Sequence, residues 1–217
     1  MKRRNLPQGF TLAEILIAAS IMLVVLGLLF AMLVPTARGT TRGTLRVEMQ
    51  QAALRVMNTL ERDLALSAAS GLTVSTNGTV GYPVLVGMIP IKTVLEDGTQ
   101  QWEDKLIVYS WKSPESPVVR KVWQSPGPPS ISAQLSLNSV KPLRADEATL
   151  GTIAEDPSLA GRVLAGDVTE FKVTQGGTAT AVVPPLTVTI KMEKKGNTGS
   201  TEPERYELTE TMTVRNQ

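Results

Sequence analysis

From Ile15 to Val34 the chain runs for 20 residues without a charge, built of Ile, Leu, Val, Met, Phe, Ala, Gly and Ser. As a helix rising about 1.5 Å per residue, such a run crosses a hydrocarbon core of about 30 Å. A single acid, Glu14, stands directly in front of it. A carboxylate at membrane depth is costly even on mild insertion scales, so its presence points to a function and to a partner. Lys2, Arg3 and Arg4 precede the run, and Arg38 and Arg42 follow it. The denser basic cluster is N-terminal, which favours a cytoplasmic N-terminus and an exported body.

Three readings compete for this N-terminus. An ordinary secretory signal has a shorter apolar core and ends on a small-residue cleavage site, whereas this run ends in Pro35-Thr36-Ala37-Arg38. A plain single-pass anchor accounts for the length but not for Glu14. The third reading uses every residue of Gly9-Phe10-Thr11-Leu12-Ala13-Glu14 and the basic leader before it. Over residues 1–35 the sequence resembles the class III signal of type IV pilins and type II secretion pseudopilins. The resemblance implies that prepilin peptidase cuts after Gly9 and methylates the new N-terminal residue, Phe10. It also implies that Glu14 serves subunit assembly by neutralising the amino group of Phe10 on a neighbouring subunit. Such a pair sets register more than stability, because desolvation offsets most of its Coulomb gain.

Composition narrows the chemistry. The 217 residues include no Cys and no His, which removes Ser-His-Asp and Cys-His nucleophile systems, zinc-thiolate sites and His-ligated metals. The acidic pairs Asp146-Glu147 and Glu155-Asp156 read as solvated faces or helix N-terminal charges. Asp97, Asp104, Asp146 and Asp156 are scattered rather than spaced as calcium ligands, so neither a metal nor a cofactor is expected. Three of the basic residues behind the formal charge of +2 lie in the leader, and nothing argues for a nucleic-acid footprint.

Beyond the apolar run, Pro35 to Thr44 are poor helix formers around a proline and two glycines, which predicts a weak, kinked or locally open stretch. Leu45, Met49, Ala52, Val56, Leu60, Asp63 or Leu64, and Ser67 or Ala68 then recur every three to four residues, an amphipathic helix ending near Ser70-Gly71. After Gly71 the period becomes two. Asn77-Gly78 and Asp97-Gly98 mark hairpin turns. Lys105–Trp111 and Val118–Gln124 read as a strand pair, and Ser125–Ser130 as a loop. Val168–Thr174, Leu186–Glu193 and Tyr206–Val214 are the clearest strands, with Leu186, Val188, Ile190 and Met192 facing inward.

The expected fold is α+β and pilin-like, a long N-terminal helix whose membrane-spanning first half is followed by an amphipathic half packed on an antiparallel sheet. The expected division is a cleaved leader over 1–9, a membrane and assembly helix over 10–34, the amphipathic half over 35–70 and a β-rich head over 71–217. Segments 162–173 and 184–190 resemble the C-terminal part of J-class minor pseudopilins and related minor pilins. That resemblance implies a non-catalytic subunit, anchored once in the bacterial inner membrane with its head in the periplasm, which joins a filament near its tip and primes assembly. Its partners would be other pilin or pseudopilin subunits, prepilin peptidase and the inner-membrane assembly platform. The competing function is a membrane-anchored periplasmic binding domain that does not polymerise.

Overall fold

A computed structural model of the chain describes residues 11–76, 78, 81–125, 127, 145–196 and 202–214, apart from the side chain of Arg38. It divides into two compact units, one ending at Thr44 and the other beginning at Leu45.

Helix α1 extends over Leu12–Ala65 and holds Pro35 in its interior. The expected opening over residues 35–44 is not observed, since α1 is helical throughout. Poor helix formers cost under about 1 kcal/mol each, and a helix already nucleated on both sides propagates across them. The threonines of this stretch turn their hydroxyls inward. Thr36 donates to the Met32 carbonyl at 2.8 Å, and Thr40, Thr41 and Thr44 donate to the carbonyls of Thr36, Ala37 and Thr40, each at 3.0 Å.

From Leu45 onward α1 buries one stripe, comprising Met49, Ala53, Val56, Met57, Leu60, Asp63 and Leu64. The period matches the expectation, with Ala53 rather than Ala52 fully covered. The helix nevertheless stops at Ala65, short of Ser70. Leu66 N–H turns back to the Asp63 carbonyl at 3.2 Å, and strand β1 begins at Ser67. Ladder bonding decides this boundary. Ser67 Oγ donates to the Ile89 carbonyl at 2.7 Å, and Ile91 N–H donates to the Leu66 carbonyl, also at 2.7 Å.

The strands form two antiparallel sheets where one was expected. In the larger, β1 (Ser67–Ser75), β2 (Val84–Val94), β4 (Lys105–Trp111), β5 (Val118–Gln124) and β6 (Arg162–Ala165) lie in that order, and the short β3 (Gln100–Trp102) pairs with β2. The hairpin read at Asp97-Gly98 joins β2 to β3, with Gly98 at φ +83 as its turn requires. Asn77 of the other turn signal lies outside the described residues, as does most of the Ser125–Ser130 loop. The smaller sheet is β7 (Val168–Thr174), β8 (Leu186–Lys194) and β9 (Glu204–Met212). Strands β4, β5 and β7 keep their expected bounds.

Two apolar layers follow from this arrangement. The α1 stripe shares a core with Val86, Met88, Ile107 and Tyr109 of the large sheet and with Phe171, Val188, Ile190 and Met192 of the small one. The opposite face of the large sheet carries Leu85, Ile89, Leu106 and Val108, which pack under Leu150 and Ile153. The latter two belong to a short helix, α2 (Glu147–Glu155), that periodicity does not announce. Asp146 is its N-cap, accepting Thr149 N–H at 2.8 Å. Gly87 lets it dock, because a β-carbon there would collide with the Leu150 side chain. At the other end Lys121 Nζ donates to the carbonyls of Ala154 and Asp156 at 2.8 and 2.6 Å.

Candidate functional site

Of the residues singled out from the sequence, Gly9 and Phe10 lie outside the described residues. Glu14 sits in the first turn of α1. Its carboxylate folds back on the start of its own helix. Oε2 accepts Thr11 N–H at 2.8 Å and the Thr11 hydroxyl at 3.0 Å, while Glu14 N–H donates to Thr11 Oγ1 at 3.3 Å. Ile15 N–H reaches the Thr11 carbonyl at 3.2 Å, which makes Thr11 the residue that caps the helix. This is a reciprocal capping box of the form Thr-x-x-Glu. The sequence carries that signal plainly, and the reading of Glu14 for its charge alone passed over Thr11. In a lipid environment the box matters more than in water, since an unmet N–H there costs several kcal/mol.

The helix behind the cap presents apolar side chains in every direction. Ile15, Leu23 and Met32 are 59%, 70% and 71% exposed, and the other large apolar residues of the run lie between 39% and 64%. It is long and apolar enough to cross a membrane. It holds three glycines that no contact among the described residues requires. A β-carbon built on Gly27, Gly39 or Gly43 meets nothing within 4 Å, and each interior glycine costs about 1 kcal/mol relative to alanine.

In the head, one buried ionic cluster ties α1 to the sheet. Asp63, in the last turn of α1, accepts Tyr109 Oη–H at 2.7 Å and Arg120 Nε–H at 2.6 Å on the same oxygen. Burial, then the hydrogen bond to Asp63 and its charge, push the Tyr109 hydroxyl far above the ordinary tyrosine value. A carboxylate at a helix C-terminus opposes the helix dipole, so Arg120 supplies the compensation that permits it. The periodicity argument offers Asp63 or Leu64 for the buried face, and both are buried, but nothing local in the sequence names Tyr109 and Arg120 as partners of Asp63.

The acidic pairs have local roles. Hydrogen bonding from Thr149 holds the Asp146 carboxyl below its ordinary value, and hydrogen bonding from Ser158 does the same for Asp156. Among the described residues no group of three or more His, Cys, Asp or Glu side chains could hold a metal ion.

Residues 4–30 match the family model of the prokaryotic N-terminal methylation motif. Neither a curated protein nor a solved structure matches the chain. The matched span runs across the basic residue before Gly9, the Gly9-Phe10 bond, the Thr11–Glu14 box and most of the apolar run.

Proposed function

We propose that this chain, which carries the class III prepilin signal of the pilin and pseudopilin family, is cut between Gly9 and Phe10, methylated on Phe10, and built into a filament through α1. The observation that carries the reading is the coincidence of the methylation motif with the capped start of a 54-residue helix whose run from Ile15 to Val34 is uncharged and exposed. A motif of this type points to a structural subunit rather than an enzyme. The finer assignment, a minor subunit at or near a filament tip that primes assembly, rests on the likeness of segments 162–173 and 184–190 to minor pseudopilins. The head would stand in the periplasm, and the remaining partners would be prepilin peptidase and the inner-membrane assembly platform.

The energetics fit association through α1. Lipid tails are as apolar as Leu and Ile, so the exposed run gains little from leaving them. Close backbone approach and polar pairing must drive helix association instead. Gly27, Gly39 and Gly43 provide open backbone surface, and Glu14 provides the polar group. The partner proposed for Glu14 is the amine of Phe10 on the adjoining subunit, which exists only after the cut.

Intact-mass analysis of the protein from its own membranes tests the first step, with loss of residues 1–9 and gain of one methyl group as the expected result. The absence of native cysteine allows the second step to be read by single-cysteine crosslinking along residues 15–43. Crosslinks to other pilin subunits in the wild type, lost in Glu14→Ala although cleavage persists, are expected. Retention of residues 1–9 in the mature protein would refute the reading and favour an anchored binding domain that does not polymerise.

A further inference from the structure

Arg38 and Arg42 stand directly behind the apolar run, four and eight positions past Val34. On a straight helix those positions lie about 6 and 12 Å beyond the end of the run. The headgroup layer on one side of a bilayer is about 5–8 Å deep, the excess of full thickness over hydrocarbon core shared between two faces. Residues four apart are neighbours on one helix face, so α1 carries positions 38 and 42 together. The tilt of helical Cα–Cβ bonds toward the N-terminus aims both positions back at the run. Between Glu14 and Glu48 the chain holds no acidic residue. Thr36, Thr40, Thr41 and Thr44 give their hydroxyls to carbonyls of α1 itself. What this stretch carries at headgroup depth is therefore positive charge. Topology makes the placement informative, because basic residues favour the cytoplasmic side and two arginines this close to the exported end work against export of the head. They also outlast the opposing cluster. Lys2, Arg3 and Arg4 lie before the Gly9-Phe10 bond, and residues 10–14 hold no basic side chain.

We infer that Arg38 and Arg42 bind the phosphates of anionic glycerophospholipids in the exported leaflet, and that in the cut, membrane-resident subunit this pair is the basic anchor that fixes the depth of α1. This rests on the reading above that α1 crosses the membrane with its head exported. It adds a ligand class and two residues that lie beyond the span of the methylation motif. Guanidinium is suited to the task, since its planar fork pairs with phosphate through two parallel hydrogen bonds and its charge persists at every physiological pH. Anionic headgroups attract basic residues near the surface by about fivefold for each one, so two residues on one face give a usable preference. An acidic face of a neighbouring subunit is the competing partner. The position of both residues at the edge of the apolar run, where headgroups are present before any subunit arrives, favours lipid.

The test uses the full chain extracted from its own membranes in mild detergent, as wild type, Arg38→Gln, Arg42→Gln, the double Gln variant and Arg38→Lys/Arg42→Lys. Each is incubated with equimolar phosphatidylglycerol and phosphatidylcholine, and retained lipid is read by native mass spectrometry. Wild type is expected to retain phosphatidylglycerol about twentyfold over phosphatidylcholine, each single Gln variant about fivefold, and the double Gln variant neither over the other. The double Lys variant keeps a weakened preference, because the charge remains and the fork does not. Inorganic phosphate in excess should leave the lipid in place; displacement would show that a free anion suffices and would overturn the lipid assignment. The inference also fails if wild type has no preference, or if the double Gln variant keeps the full one. Loss of crosslinks to other subunits in a double Gln variant whose lipid retention matches wild type would assign the arginines to a protein face instead. Glu96→Cys, at an exposed position of the head, separates this inference from the reading beneath it. Labelling of that cysteine from the periplasmic side, without any arginine-dependent lipid preference, leaves the topology standing and removes the lipid site. A cysteine reached only after the inner membrane is opened refutes the topology and the inference with it.

Discussion

Replacing Asp63 with alanine should be among the most damaging single changes available in the head. Asp63 and Arg120 form an ion pair at 2.6 Å with side chains only 3% and 17% exposed, and Tyr109 shares the same carboxylate oxygen. Removing one member of a buried pair typically costs about 3–5 kcal/mol, because the other charge stays buried without compensation. Two corrections reduce the figure here. Arg120 keeps some access to water, and losing a negative charge at the C-terminus of α1 returns about 0.3–1 kcal/mol of dipole energy. A net loss of about 3 kcal/mol is expected, a large share of the roughly 5–15 kcal/mol that holds a domain together. Trp102, Trp111 and Trp123 all lie in strands of the head, so urea unfolding of the detergent-solubilised chain followed by tryptophan fluorescence reports on this unit alone. The companion Asp63→Leu/Arg120→Met, made in a Tyr109→Phe background so that no buried hydroxyl loses its acceptor, removes both charges and should fall within about 1–2 kcal/mol of Tyr109→Phe alone. The reasoning fails if Asp63→Ala shifts stability by less than about 1 kcal/mol. It fails equally if the double variant is as unstable as the single one.

Three further outcomes are expected. Gly87→Val forces Leu150 away from the sheet, so α2 should loosen at a cost of about 1–3 kcal/mol, seen as faster hydrogen exchange over residues 147–155 with the α1 side of the core unchanged. Tyr109 has a raised value in the fold, so its proton is stabilising below the ordinary tyrosine value of about 10 and that stability is lost as pH climbs above it. An absorbance titration should therefore show its ionisation only when the head unfolds in alkali, and Tyr109→Phe should remove that step. Asp146 is lowered in the fold, so its contribution is present above the ordinary carboxyl value of about 4 and disappears as pH falls through its folded value. Protection factors over α2, which correct for the intrinsic slowing of amide exchange in acid, should then fall as pH is lowered, whereas Asp146→Ala should show low protection already at neutral pH and respond little to further acid.

The Glu14 end of the candidate site is legible in the sequence, because its parts are adjacent in the chain. The apolar run, the acid before it and the Gly9-Phe10 junction are contiguous, and so is the Thr11–Glu14 box that charge-based reading overlooked. The strands of the head were legible for a related reason. Alternation in Leu186–Glu193 reflects local backbone geometry, and Asp97-Gly98 announces its own turn. Helix α2 was not recognised, although Leu150, Ile153 and Ala154 fall at helical spacing. Glu147–Glu155 is only nine residues long and contains Gly151 and two threonines, so its local preference is weak. The unbroken run Leu106 to Trp111 was an indirect clue, since a strand buried on both faces requires a second covering layer.

What the sequence determined alone is the membrane-capable helix with its capped and acid-marked start, and the α+β order of elements behind it. These depend on length, period and nearest neighbours, which are properties of the chain itself. Only the tertiary structure decided where α1 ends, that the strands divide into two sheets, and that Asp63 meets Tyr109 and Arg120. Each of these turns on competition between groups far apart in the chain. Ser67 leaves the helix because strand β2 offers it a hydrogen bond, and Asp63 can be buried because β5 delivers a guanidinium to it.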